Sequence, residues 1–192
     1  MEIAALLCAI LLAAPSTYQV EVETTKGIFV LEVQRSLAPH GAERFYELVE
    51  SGYFNDSRFH RAVAGKWMQF GIAGEPKLAK AWRGRTIPDD PVRASNIRGA
   101  FAFAMTGPDT RTTQIFICLT DQKALDAQGF APLGKVISGM DVVDQLYTGY
   151  GETSGGGMRA GKQDPLFEGG NQYLDANYPK LDHLIRARIL KQ

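Results

Sequence analysis

A closed, mainly β barrel capped at its ends by two α-helices is the fold this chain predicts, on three observations. Short runs with period-two alternation or continuous apolar character recur along its length. Only two long segments carry the 3.6-residue period of an amphipathic helix, and no internal repeat divides the chain. The 192 residues suffice for one sizeable domain with its own core and are few for two. With zero formal net charge and 22% charged residues, bulk electrostatics give no support for nucleic acid as a partner.

Residues 3–14 form an apolar run followed by Pro15-Ser16-Thr17. Its length suits a signal-peptide h-region and falls short of the ~20 residues a spanning helix needs. Residues 1–16 are therefore expected to be a signal peptide or N-terminal anchor, with small residues at Ala14 and Ser16 suiting cleavage before Thr17. Glu2 stands where Lys or Arg is usual, so a misplaced start and an uncleaved anchor remain open beside export to the periplasm or medium. Leu6-Leu7-Cys8 lacks the small residue of a lipobox. Residues 17–192 form one domain that includes a C-terminal extension over 150–192. Of the two cysteines, Cys8 lies in the apolar run and Cys118 in an apolar strand, where a buried small hydrophobe is the expectation. No disulfide framework, metal-ligand spacing or cofactor motif is present.

Residues 18–24 alternate apolar and polar, Lys26-Gly27 turns the chain, and residues 28–33 return, which predicts a hairpin. Ala42, Phe45, Leu48 and Val49 recur at helical spacing between Pro39 and Gly52, predicting a helix over 39–51. Residues 59–71 read as two short strands about a turn at Ala64-Gly65. An irregular stretch is expected over 73–97, with Asp89-Asp90 as turn chemistry and Trp82 as an anchor onto the barrel. Strands follow over 99–105, 114–119 and 133–137, the middle one placing Gln114, Phe116 and Cys118 on one face. Val142, Val143 and Leu146 predict the second helix, over 140–147. Residues 149–161 are glycine-rich and predict a surface loop. Their glycines lack the preceding strand and the Gly-Lys-Ser/Thr ending of a phosphate loop. A short helical turn over 170–178 and a strand over 184–190, closing on the first, complete the chain.

Arg61 and Gln69 stand in the opposite arms of the 59–71 hairpin among residues that otherwise suit burial. A guanidinium and a carboxamide on apolar walls form fixed donors beside a greasy surface. That suits a ligand both apolar and carbonyl-bearing, such as a proline-containing peptide.

The motif Phe59-His60-Arg61, then Gln69 and Gly71, then Met105-Thr106-Gly107-Pro108-Asp109-Thr110-Arg111-Thr112-Thr113-Gln114-Ile115-Phe116-Ile117 resembles the cyclophilins, the peptidyl-prolyl cis-trans isomerases. Leu125-Asp126, Gly129-Phe130-Ala131-Pro132-Leu133-Gly134-Lys135-Val136 and Gly139-Met140-Asp141-Val142-Val143 extend the resemblance in the same order, over about residues 19–147. The tail over 170–190 is similar to that of a bacterial and plant-like branch. The resemblance implies an eight-stranded antiparallel barrel with two capping helices. It also implies isomerisation of X–Pro bonds in proline-containing polypeptides, with no cofactor and no nucleic acid. A monomer assisting the folding of exported proteins is the expected form, with membrane contact only through an N-terminal anchor.

Rotation about the amide crosses ~18–20 kcal/mol because resonance is broken. A donor aimed at the prolyl nitrogen gains strength only as that nitrogen becomes pyramidal in the transition state. Arg61 fits that role, and the resemblance makes Gln69 its catalytic companion and Gln114 a partner to the substrate backbone. It assigns the floor of the proline pocket to Phe116 and its walls to Leu125 and Phe130, with Ala104 and the backbone of Met105 pairing with the extended peptide. His60 alternates away from Arg61 and is read as a packing or hydrogen-bonding residue. Five positions depart from the family pattern: Lys66, Trp67 and Ala124, then Phe130, which stands near a frequent histidine, and Met105, which replaces an asparagine where the family uses mainly backbone. Lys66 replaces a pocket phenylalanine, and Trp67 is in place to restore the apolar surface while Lys66 reaches toward solvent. Ala124 stands where many eukaryotic members carry tryptophan, which implies weaker cyclosporin binding. A non-catalytic module that binds proline peptides on the same scaffold is the alternative that Lys66 favours.

Overall fold

In the computed structural model the described residues are 13–156 and 162–191. Most of the expected signal or anchor segment and part of the glycine-rich stretch lie outside them. The sheet forms from β1 (Thr17–Thr24), β2 (Gly27–Gln34), β3 (Ser57–Arg58), β4 (Arg61–Val63), β5 (Trp67–Phe70), β6 (Ala100–Phe103), β7 (Ile115–Cys118), β8 (Pro132–Ser138) and β9 (His183–Leu190). All pairings are antiparallel, in the order β3-β9-β1-β2-β8-β6-β7-β5-β4. The expected closed eight-stranded barrel is thus corrected to a nine-stranded half-barrel. Its two edges, β3 and β4, pair with β9 and β5 and not with each other, so the ladder does not close. The predicted first hairpin is β1–β2, and β9 closes on β1 as expected.

Among the described residues four α-helices accompany the sheet, not two: α1 (Pro39–Glu50), α2 (Pro76–Arg83), α3 (Met140–Asp144) and α4 (Asp164–Asn177). The apolar stripe of α1 buries Ala42, Phe45, Leu48 and Val49, and Phe45 sits 5.6 Å from Phe54 and 5.5 Å from Phe101 in the interior. Helix α2 lies inside the stretch expected to be irregular. Pro76 occupies its first turn, where the missing N–H costs nothing, and Glu75 caps it through Lys77 N (2.9 Å) and Leu78 N (2.6 Å). Trp82 is the expected anchor, buried 5.6 Å from the Tyr53 ring and flanked by the guanidinium groups of Arg44 and Arg85.

Helix α4 begins well before the expected helical turn. Gly170 interrupts it at φ 53°, ψ −142°, and a Cβ there would meet the carbonyl oxygen of Gly74 at 2.2 Å. The kink lets Asn171 N–H donate to that same carbonyl at 2.9 Å, so α4 docks on the loop that leads into α2.

Asp89-Asp90 is more than a turn. Ala38, at the N-cap of α1, has no side chain able to cap. Asp90 does so from 50 residues away, accepting from His40 N (3.0 Å) and Gly41 N (2.8 Å) while pairing with buried Arg111 (3.1 Å). Arg111 also donates to the carbonyl of Pro88 and lies 3.2 Å from Asp89. Removing one partner of a buried pair strands the other. Asp90→Ala is therefore expected to lower the unfolding free energy by about 3 kcal/mol, toward the low end of such losses because Asp89 stays beside Arg111. Urea denaturation of the two proteins measures it.

Candidate active site

Pairing register assembles the site. Arg61 pairs with Gln69, Gln69 with Phe116, and Phe116 with Ala102, so four strands place these residues in one row across the sheet. Directly paired residues share a face. The neighbouring row, Ala62, Met68, Ile117 and Phe101, turns to the opposite face and is buried in the main core. Trp67 and Cys118 form the next outward row. A second, smaller apolar cluster on this outward face joins Ala102, Phe116 and Cys118 to Trp67, Ala104, Leu125 and Phe130.

A cleft of about 990 Å³ opens over this face. It is lined by Arg61, Gln69, Phe116, Gln114, Leu125, Phe130, Ala104, Met105 and Trp67, nine of the ten site residues expected from sequence. Lys66 is the correction. It sits exposed in the β4–β5 turn outside the cleft, its Nζ 5.7 Å from the centre of the Trp67 ring, and Trp67 supplies the wall. Period-two alternation explains this, since Trp67 shares its face with Gln69 and the preceding residue belongs to the turn. A second correction concerns Ala104. Its N–H already donates to the carbonyl of Gln114 at 2.8 Å, so that donor is not free for a peptide. Among the described residues, the backbone N–H and carbonyl of Met105 have no partner.

The apolar wall is held by polar residues that sequence reasoning passed over. Leu125 and Phe130 flank Asp126, which accepts from Ser95 Oγ (2.5 Å) and from the backbone and side-chain nitrogens of Asn96 (both 2.8 Å). Asn96 also donates to the carbonyl of Phe130 at 2.8 Å. Desolvation opposes ionisation of Asp126, yet these hydrogen bonds hold its carboxyl below the usual range. Phe130 meets Phe116 edge to face at 5.6 Å.

The polar end is a directed chain of hydrogen bonds. Arg61 donates through an Nη to Gln69 Oε1 (2.8 Å), Gln69 Nε2 to Gln114 Oε1 (2.8 Å), and Gln114 Nε2 to Gln163 Oε1 (2.8 Å). Arg61 Nε donates to Glu152 Oε2 at 2.6 Å, and its guanidinium lies 5.3 Å from the centre of the Trp67 ring. Glu152 and Gln163 belong to the C-terminal extension, where composition pointed only to a loop. Their one signal in the sequence is polarity, which does not reveal partners 91 and 49 residues away.

His60 is buried with Nε2 3.2 Å from Gln114 Oε1, so in its neutral form Nε2 carries the hydrogen. Burial, with Arg61 adding, pushes its pKa down to about 4 against the hydrogen bond to Gln114. Burial pushes the Cys118 thiol up to about 12, which keeps it protonated and unreactive at neutral pH. Among the described residues no group of three or more His, Cys, Asp and Glu side chains gathers as a metal site.

The sequence model of the family described as cyclophilin type peptidyl-prolyl cis-trans isomerase/CLD matches residues 19–165. A peptidyl-prolyl cis-trans isomerase of Acinetobacter baylyi is 34% identical over 66% of this chain and 70% of its own. The human peptidyl-prolyl cis-trans isomerase-like 1 is 31% identical over 69% of this chain and 82% of its own. A Cryptosporidium parvum cyclophilin-type isomerase crystallised with the dipeptide Ala-Pro superposes with a TM-score of 0.63 at 19% identity, covering 91% of this chain and 99% of that one. The last likeness is one of fold.

The buried histidine carries a pH dependence. Its folded pKa lies below the unfolded value of 6.5, so the unfolded state binds the extra proton first as the pH falls. The stability it supports is present above about pH 6.5 and is lost as the pH falls toward 4, by roughly 3 kcal/mol. Denaturant titrations between pH 7.5 and 4 are expected to show this loss. In His60→Gln, which keeps an N–H donor and has no proton to gain, the slope is expected to be shallower.

Proposed function

Because this chain belongs to the cyclophilin-type peptidyl-prolyl cis-trans isomerases, we propose that it turns X–Pro bonds with Arg61 as the transition-state donor. The observation that carries the assignment is Arg61 fixed by Glu152 and Gln69 at the edge of an apolar pocket that includes Trp67, Phe116 and Phe130. Two of its five N–H groups are engaged there, which leaves three for a substrate. The proline ring rests on Phe116 between Trp67, Leu125 and Phe130, and the carbonyl of the preceding residue lies free to rotate. Met105 offers its unpartnered backbone to the extended peptide.

As resonance is lost, the prolyl nitrogen gains a lone pair that an arginine N–H can reach. That bond exists in the twisted state and not in either planar one, so it lowers the barrier rather than tightening ground-state binding. Gln69 keeps the fork in plane. The chemistry needs no nucleophile. The alternative of a non-catalytic binding module drew on Lys66, and its exposure outside the cleft leaves that reading without its ground.

Export places the activity on secreted clients, a role supported by the apolar run over 3–14. Sequencing the N-terminus of the protein recovered from outside the cytoplasm is expected to begin at Thr17. Recovery from the cytoplasm beginning at Met1 overturns the export reading. For the chemistry, an X–Pro tetrapeptide assay is expected to show turnover that Arg61→Ala lowers by roughly 10²–10³-fold, the usual cost of losing one transition-state donor. Phe116→Ala is expected to abolish peptide binding. A wild type without turnover that still binds proline peptides through Phe116 would restore the module.

A further inference from the structure

The catalytic arginine stands on an exposed edge. β4 is three residues long and pairs on one side only, with β5. An arginine side chain has four torsions to fix, and two contacts from within the hairpin, Gln69 and the Trp67 ring, bear on the end of the guanidinium alone. The stem and Nε are reached from elsewhere. Glu152 accepts from Nε at 2.6 Å, with the two side chains 16% and 28% exposed. The backbone of Gly151 accepts from Ala62 N–H at 3.4 Å, on the side of β4 that carries no strand. Buried Gly155 lies flat on the stem, and a Cβ there would meet Cβ, Cγ and Cδ of Arg61 at 2.5, 2.8 and 2.9 Å. Gln163 ties this turn to the amide chain, donating to the carbonyl of Gly155 and receiving from Gln114.

From this geometry we infer that Glu152 is a positioning residue for the isomerase reaction, holding Arg61 Nε so that the remaining N–H groups point at the prolyl nitrogen, with Gly155 as the surface against which the stem is pressed. The inference rests on Arg61 acting as the donor described above. A donor that stabilises a transition state works by being in place beforehand, and displacement of about 1 Å can cost as much as 100-fold. Glu152 acts through geometry, because its carboxylate next to the guanidinium draws field away from the substrate and gives no electrostatic assistance of its own. Glutamine at this position retains an acceptor of the same length, whereas alanine retains none.

The test compares the full-length wild type with Glu152→Ala, Glu152→Gln and Gly155→Ala in the tetrapeptide assay. It also follows the Arg61 Nε–H resonance by NMR, assigned through its loss in Arg61→Lys. The expected result is a fall in kcat of roughly 10- to 100-fold for Glu152→Ala with KM and the unfolding midpoint unchanged. Recovery to within about threefold is expected in Glu152→Gln, and loss of the slowly exchanging Nε–H signal in Glu152→Ala. Gly155→Ala, which displaces the stem and leaves the carboxylate, is expected to lower kcat in the same way. The proposal is overturned if Glu152→Ala keeps wild-type kcat and the protected resonance. It is also overturned if Gln and Ala at 152 fall equally, which assigns the effect to charge. If Arg61→Ala itself loses no activity, the reading of Arg61 as donor fails instead, and the resonance alone then decides whether Glu152 holds the guanidinium.

Discussion

An arginine donates hydrogen bonds and cannot accept them, and this one-way chemistry orders everything behind Arg61. Its contact to Gln69 must fall on the carboxamide oxygen, which turns the Gln69 nitrogen toward Gln114. Gln114 must then receive on its oxygen and donate onward to Gln163. His60, meeting the same oxygen, is forced to present a hydrogen. Four side chains, those of His60, Gln69, Gln114 and Gln163, thus have their orientations set by a single cation. A chain of this kind is worth having only when every link is satisfied, since a half-satisfied buried amide costs more than an apolar residue in its place. The neutral state of His60 comes first from its burial, and the neighbouring Arg61 cation adds to it.

The sheet makes such order possible at little backbone cost. Antiparallel register carries Arg61, Gln69, Phe116 and Ala102 across four strands with no loop needed to gather them. One residue along, the same strands give Ala62, Met68, Ile117 and Phe101 to the core. Stability and chemistry are therefore interleaved at a spacing of one residue. A slip of register by a single position would bury the guanidinium and expose the core row together. The site is held in register by the same burial that holds the fold.

Much of this was legible in the sequence where the relevant physics is local or periodic. The β1–β2 hairpin, α1 and the outward face of β7 followed from alternation and helical spacing, and Arg61, Gln69 and Phe116 from the motif that carries them. What was not legible depended on context. Pro76 reads as a breaker until it is seen at the first turn of a helix, and Gly170 as a start until it is seen as a kink docked on Gly74. Lys66 looked like a loss to the pocket because a residue-by-residue likeness does not say which neighbour faces inward. Asp90, Glu152 and Gln163 act over separations of 49 to 91 residues, and nothing in their local composition distinguishes a cap or a clamp from a solvated polar residue.

The sheet is open at one seam. β3 and β4 end the nine-strand order and do not pair with each other. An open edge beside a functional arginine exposes unpaired backbone and leaves the side chain free to wander. Here residues 151–156 fill the seam: Gly151 takes the outward N–H of Ala62, Glu152 takes Arg61 Nε, and Gly155 covers the stem. A strand in that position would satisfy the backbone alone, because its side chains would alternate away from the edge. A glycine-bearing turn can bring both a carbonyl to the backbone and a carboxylate to the side chain within five residues. Glycine-rich composition in this part of the chain is thus the condition for close approach to Arg61 rather than a sign of slack.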